Sequence, residues 1–209
     1  AFAADIAGYL EKYVILGQGE ALCSFGFNIS NIGTKVSYDG GNTNQFLPTK
    51  LSLGTGLLYP LDDYNQIALY VDLSKYLVPT APIQTGSTAE EIEEYNQKYE
   101  DYNNMSPITG IFKSFSDSPN GFKGELEEIM ASIGLEYNYN EQFFVRGGYY
   151  YENKYQGNRQ YFSVGAGFRM SVFQLDAAYL ISTVQSNPLD QTLRFSLSFD
   201  MDGIRNLFR

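Results

Sequence analysis

The sequence predicts an all-β chain, a transmembrane antiparallel β-barrel, and three features of its second half carry that prediction. Apolar and polar residues alternate with a period of two in five successive segments between Ile129 and Asp200. The apolar face of each segment is free of charge, and the breaks between segments run short and long in turn. No stretch approaches the roughly 18 apolar residues that a membrane helix needs, so a membrane role requires strands closed into a barrel. Strands of that kind leave the mean hydropathy, −0.26, unremarkable.

The first segment places Ala131, Ile133, Leu135, Tyr137 and Tyr139 on one face and Ser132, Gly134, Glu136 and Asn138 on the other. In the second, Phe143, Val145, Gly147, Tyr149 and Tyr151 oppose Phe144, Arg146, Gly148, Tyr150 and Glu152. Phe162, Val164, Ala166, Phe168 and Met170 face away from Ser163, Gly165, Gly167, Arg169 and Ser171 in the third. The fourth sets Phe173, Leu175, Ala177, Tyr179 and Ile181 against Gln174, Asp176, Ala178 and Ser182; the fifth sets Leu193, Phe195, Leu197 and Phe199 against Arg194, Ser196, Ser198 and Asp200.

A soluble sandwich also alternates, with its apolar face turned inward. Here the polar faces mix both signs of charge with Gly and Ser, so Glu136, Arg146, Arg169, Asp176 and Arg194 read as a network paired across strands inside a barrel. Aromatics near the segment ends, among them Tyr139, Phe143, Tyr149, Tyr151, Phe162, Phe173 and Phe199, fit the interfacial girdles of an outer-membrane barrel. Breaks at 39–46, 76–128, 153–159 and 184–191 are long, whereas those at 60–65, 139–142 and 171–173 are short. Outer-membrane barrels sort loops in this way, with long ones outside the cell and tight turns in the periplasm.

Upstream, strands are expected near 66–75, 47–59, 21–38 and 2–14, the last pair joined by a two-glycine turn at Leu16–Glu20, which makes nine in all. Bacterial single-chain barrels generally have an even count, so residues 1–209 are read as the carboxy-terminal part of one barrel domain whose first strands are missing. Composition agrees, with 18 Tyr, 15 Phe and 20 Gly in 209 residues. A net charge of −10 argues against nucleic acid as a partner.

Segment 76–128 is too long for a plain hairpin loop and is expected to be a functional extracellular insertion. Residues 87–102 read as a helix capped by Ser87 or Thr88 with Glu90 or Glu91 three residues on, its stripe of Ile92, Tyr95, Tyr99 and Tyr102 packing on the barrel rim. Glu90, Glu91, Glu93, Glu94, Glu100 and Asp101 form an acidic outer face, read as solvated ahead of the alternative, a docking site. In residues 106–126, Ile108, Ile111, Phe112, Phe115 and Phe122 stand among Gly, Ser and Pro, either as a plug folded into the lumen or as an apolar surface for a partner. With no His and a single Cys, neither an imidazole-based nucleophile nor a metal site is expected, so no catalytic residue, metal or cofactor is assigned.

GFNISNIGTKVSYDGG (26–41), FLPTKLSLG (46–54), SPITGIFKSFSDSPNGFKGEL (106–126), NRQYFSVGAGFR (158–169) and SNPLDQTLRFSLSFD (186–200) resemble, in that order and spacing, the PorV (LptO) family of the type IX secretion system. The resemblance implies a FadL-like barrel of fourteen strands in the bacterial outer membrane, of which this chain supplies the last nine. It implies a component that conducts no solute, meets the translocon barrel subunit, binds the carboxy-terminal signal domain of secreted cargo and passes it to a protease- or sortase-like surface attachment component; the absence of His leads to the expectation that the chain is no enzyme. Ile111, Phe112, Phe115 and Phe122 are the candidate partner-binding residues, chosen from the loop and not from a family motif. Two other readings stand beside this one, a FadL-like transporter of hydrophobic small molecules and a soluble β-sandwich adhesin.

Overall fold

The computed structural model describes residues 1–17, 19–37, 44–184 and 189–207. Nine strands follow one another: β1 (Ala3–Leu16), β2 (Gly19–Gly33), β3 (Lys50–Pro60), β4 (Asn65–Tyr76), β5 (Met130–Tyr139), β6 (Phe143–Tyr151), β7 (Tyr161–Met170), β8 (Phe173–Ser182) and β9 (Leu193–Phe199). Each pairs with its sequence neighbour in one antiparallel sheet, and among the described residues the order ends at β1 and β9 without closure into a barrel. Helices α1 (Ala89–Asn104), α2 (Pro107–Lys113) and α3 (Gly121–Glu127) lie in the connection after β4, and α4 (Met201–Leu207) follows β9.

Connections at 17–18, 61–64, 140–142 and 171–172 alternate with those at 34–49, 77–129, 152–160 and 183–192, in the short–long order expected. The tight ones are built by local chemistry. Asn140 and Glu141 both adopt positive φ, as hairpin turns with the right twist require, and the Gln142 N–H donates to the Tyr139 carbonyl at 3.0 Å. At 61–64 the Asp62 carboxylate accepts from the backbone N–H groups of Tyr64 and Asn65 at 2.8 Å each. Those bonds, first the one from Tyr64, hold its carboxyl below the ordinary range.

Two strand bounds differ from expectation. β2 stops at Gly33 rather than 38, and residue 38 lies outside the described residues, as do 39–43 of the following loop and 185–188 of the last. Within β2, Asn31 adopts φ 59° and its N–H donates to the Asp5 carboxylate at 2.7 Å. β3 begins at Lys50 rather than 47 because Pro48 has no N–H for the ladder and Thr49 donates back to Leu47 at 2.7 Å.

The chain forms two compact units. One holds Ala1–Gly8, Phe27–Ser52 and Ser74–Ile129, including α1 to α3; the other holds Tyr9–Gly26, Leu53–Leu73 and Met130–Arg209. In the second, burial across β5 to β8 is the reverse of a protein dissolved in water, and β9 is exposed on both faces. Leu135, Val145 and Val164 on the uncharged face are 51 %, 60 % and 50 % exposed, whereas Phe144, among the charges of the other face, is 5 % exposed. A sandwich would bury the first set beneath a second sheet. Register sets Tyr139 opposite Phe143, Phe143 opposite Phe168 and Phe173 opposite Phe199 near one end of the uncharged face, and Tyr149 opposite Phe162 near the other.

Arg146 on β6 bonds to Glu136 on β5 and also to Asp176 on β8, across the whole width of β7. The gap exists because β7 carries glycine there: Gly165 faces Arg146 and Gly167 faces Asp176 in the register. A Cβ at 167 would collide with the Asp176 carboxylate and lie 3.1 Å from Arg146 Nη1, while one at Gly147, on the uncharged face, would meet nothing within 4 Å. Gly167→Val is therefore expected to destabilise the sheet by roughly 1–3 kcal/mol, read as a lower Tm by circular dichroism in detergent, with Gly147→Val unchanged as its control.

Candidate partner-docking site and the internal charge network

Helix α1 starts with a complete capping box. The Thr88 Oγ1 accepts from the Glu91 N–H at 3.3 Å and the Glu91 carboxylate accepts from the Thr88 N–H at 2.9 Å, so Thr88 and Glu91 fill the roles left open between neighbours. The bond from the Thr88 hydroxyl is the main cause that holds the Glu91 carboxyl below its ordinary value. The last turn of α1 has no basic residue of its own. Lys35, from the connection after β2, supplies one: its Nζ donates to the carbonyls of Tyr102 at 3.0 Å and Asn103 at 2.9 Å. It also lies 4.0 Å from the centre of the Phe46 ring, which meets Tyr102 edge to face at 5.2 Å. Burial lowers the Lys35 ammonium's pKa; two carbonyls at a helix C-terminus and an aromatic face compensate.

The apolar stripe of α1 packs less than expected. Ile92 and Tyr99 remain exposed, no residue of the helix is buried, and Tyr102 is the member held against the chain, on the 34–49 connection rather than a strand rim.

Residues 106–126, for which the sequence indicated no regular element, contain two short helices. Ser106 accepts from the Thr109 N–H at 3.1 Å and Pro107 opens α2, which presses its small residues inward: Ser114 is fully buried and Gly110 lies against Phe46 and Pro79. Any Cβ at Gly110 would come within 2.8 Å of the Phe46 ring. In α3, Glu125 and Glu128 both bind Lys75 at the end of β4, and Glu125 also accepts from the Ser118 N–H at 2.8 Å. Burial opposes ionisation of Glu125, but the bonds from Lys75 and from Ser118 outweigh it and hold the carboxyl below its ordinary value.

These anchors leave the large apolar side chains outside. Phe112 is 73 % and Phe122 79 % exposed, Phe115, Ile108 and Leu126 are exposed as well, and Ile111 is half-buried. The three predicted phenylalanines thus stand uncovered on one anchored loop.

On the charged face of the other unit, the predicted network assembles in part. Arg146 joins Glu136 and Asp176; Gln174 donates to Asp176 at 2.8 Å and accepts from Arg169 at 2.9 Å, so Arg169 enters through a residue the sequence did not single out. The guanidinium carbons of Arg146 and Arg169 lie 5.0 and 5.1 Å from the centre of the buried Phe144 ring, a cation–π pair of contacts on a single phenyl. Arg194 is exposed on β9 opposite Ala178, outside this set of bonds among the described residues. Glu152, fully buried, accepts two bonds from Arg159 at 2.6 and 2.8 Å, a bidentate pair that alternation alone did not disclose, because Arg159 lies in a loop. A cavity of about 490 Å³ opens on this face where Gly134, Gly148 and Ser163 carry little side chain, bordered by Asp72, Glu136 and Arg146. No cluster of three or more potential metal ligands occurs among the described residues.

A nine-stranded antiparallel sheet in which β5 to β9 leave an uncharged face uncovered, with Glu136, Arg146 and Asp176 paired on the opposite face, defines the class: a β-sheet protein whose second half alternates as outer-membrane strands do. The family described as "Type IX secretion system protein PorV" matches residues 1–83, which span β1 to β4 and the start of the long insertion. That match supports the PorV identification. Two of the five resembling motifs, 26–41 and 46–54, fall inside it and three beyond it. No curated protein matches the chain.

Two outcomes follow from the anchors. Lys35→Gln removes a charged donor from the α1 C-terminus, a loss of about 1–2 kcal/mol, so amide hydrogen exchange in the last turn of α1 should quicken by about tenfold while Lys35→Arg restores part of the protection. For Glu125 the folded pKa is depressed, so its stabilisation is whole above the ordinary glutamate range and is lost as pH falls through the lower folded value. Limited proteolysis of segment 114–129 should therefore speed up only on acidification below that range, and Glu125→Gln should be cut faster at neutral pH with little further response to acid.

Proposed function

We propose that this chain supplies nine strands of a FadL-like outer-membrane β-barrel of fourteen, and that the protein works without catalysis in type IX secretion. It meets the translocon barrel subunit, binds the carboxy-terminal signal domain of secreted cargo and hands the cargo to the surface attachment component. The observation that carries this reading is the uncharged, uncovered face of β5 to β9. Soluble monomers keep contiguous apolar patches to roughly 300–600 Å², and a face that runs uncharged over five strands fits hydrocarbon instead. Lipid would then solvate one face while ion pairs satisfy the other.

Cargo docking is assigned to Ile111, Phe112, Phe115 and Phe122. Lys75 holds α3 through Glu125 and Glu128, and Phe112, Phe115 and Phe122 stand exposed on the same loop, which favours a partner surface over a plug in the lumen.

Replacing Phe112, Phe115 and Phe122 together by Ser is expected to leave recovery of the barrel and of the translocon subunit from the outer membrane unchanged while cargo co-purification drops by more than about tenfold. Undiminished cargo would remove the docking assignment; a chain recovered from the soluble fraction would remove the barrel.

A further inference from the structure

Beside α1 runs a groove of about 550 Å³. One wall is the helix, with Glu94, Tyr95 and Asp101; the other is the segment 80–85, and Asp117 lies at its end. Residues 77–86 have no regular secondary structure, and among the described residues no backbone N–H from Ala81 to Gly86 has a backbone acceptor. The segment is nevertheless held at both ends. The Thr80 N–H donates to Asp117 at 2.7 Å, and Thr88 begins α1 with its capping box. Between them Ile83 stands 74 % exposed.

Four carboxylates, those of Glu91, Glu94, Asp101 and Asp117, face the groove against two ammonium groups, those of Lys98 and Lys113. Lys98 is already bound to Glu94 at 2.6 Å, so a cation arriving in the groove meets an excess of negative charge. Pro82 has no N–H, which leaves the edge bearing Ala81, Ile83 and Thr85 as the one that can extend a β-ladder. A pinned, unpaired backbone edge beside an acidic wall has most of its ordering cost met before a partner arrives.

We propose that this groove is a second recognition surface, and that its occupant is an extended protein segment carrying Lys or Arg, added as a strand to the edge of Ala81, Ile83 and Thr85. Backbone pairing supplies the attachment, and Glu94 and Asp101 select the positive charge. The surface is separate from the phenylalanine cluster and does not depend on it.

The test is fluorescence anisotropy of the whole chain in detergent with two labelled peptides, one alternating Lys and Val and one alternating Glu and Val. The Lys peptide should bind and weaken with added salt, and the Glu peptide should not bind. Glu94→Gln with Asp101→Asn, which brings the groove to two charges of each sign, should weaken the Lys peptide by about tenfold or more. Ile83→Pro, which keeps every charge, should weaken it to a similar extent, with an unchanged Tm as evidence of folding. The Phe112, Phe115 and Phe122 triple Ser variant should bind it as the unaltered chain does. Equal binding of both peptides, or undiminished binding by the charge variant, would overturn the groove; loss of binding in the triple Ser variant would assign the peptide to the phenylalanine cluster instead. Undiminished binding by a folded Ile83→Pro chain would overturn strand addition.

Discussion

Arg146 and its two carboxylates organise the sheltered face of the sheet. A guanidinium placed among side chains and away from bulk water needs carboxylates close enough to satisfy its N–H groups. Glu136 is the cross-strand neighbour and is easily reached, whereas Asp176 is two strands away. Reaching it requires that β7 carry no side chain in between, which Gly165 and Gly167 ensure. The same absence of bulk lets Phe144 lie buried between the guanidinium groups of Arg146 and Arg169. Charge, glycine and aromatic ring are thus one arrangement, and it leaves the opposite face free to be wholly apolar.

The long insertion follows a related rule in its own unit. The insertion buries small residues, Gly110, Ser114 and Gly124, and ties the half-buried Glu125 to the buried Lys75 of β4, while the phenylalanines remain outside. A helix stabilised by burial of an apolar face would do the opposite. Here capping, the Lys35 contacts and the Lys75 ion pairs take over the role of a hydrophobic core, which explains how seven-residue helices persist with their largest side chains uncovered. An element held by polar anchors can present apolar groups without collapsing onto them.

What could be read from the sequence follows from how local each cause is. Period-2 alternation located β5 to β9 and separated their two faces, because every residue of a regular strand obeys it. Loop parity was readable for the same reason. The start of β3 depended on Pro48 together with Thr49. α2 and α3 went unseen since Gly and Ser weaken any helical signal, and their support comes from Phe46, Pro79 and Lys75. Within the charge network, Glu136, Arg146 and Asp176 could be named from their faces, but Gln174 as the link to Arg169 and Arg159 as the partner of Glu152 are facts of reach. α4 carried no signal before the structure, and Arg194, placed in the network by its parity, stands apart on β9, where no further strand lies beyond it among the described residues.

The two lines of evidence about function bear on different parts of one sheet. The family match covers residues 1–83 and hence β1 to β4, where alternation is least regular and pattern alone says least. The physical signature, an uncharged face without cover and a charged face that pairs with itself, is clearest in β5 to β9, beyond the match. Neither could have produced the other, since the match contains none of the charged residues of the network and the burial pattern uses no family resemblance. They meet because β4 pairs with β5 in a continuous order, so the strands that the family model matches and the uncharged, uncovered face of β5 to β9 belong to the same sheet.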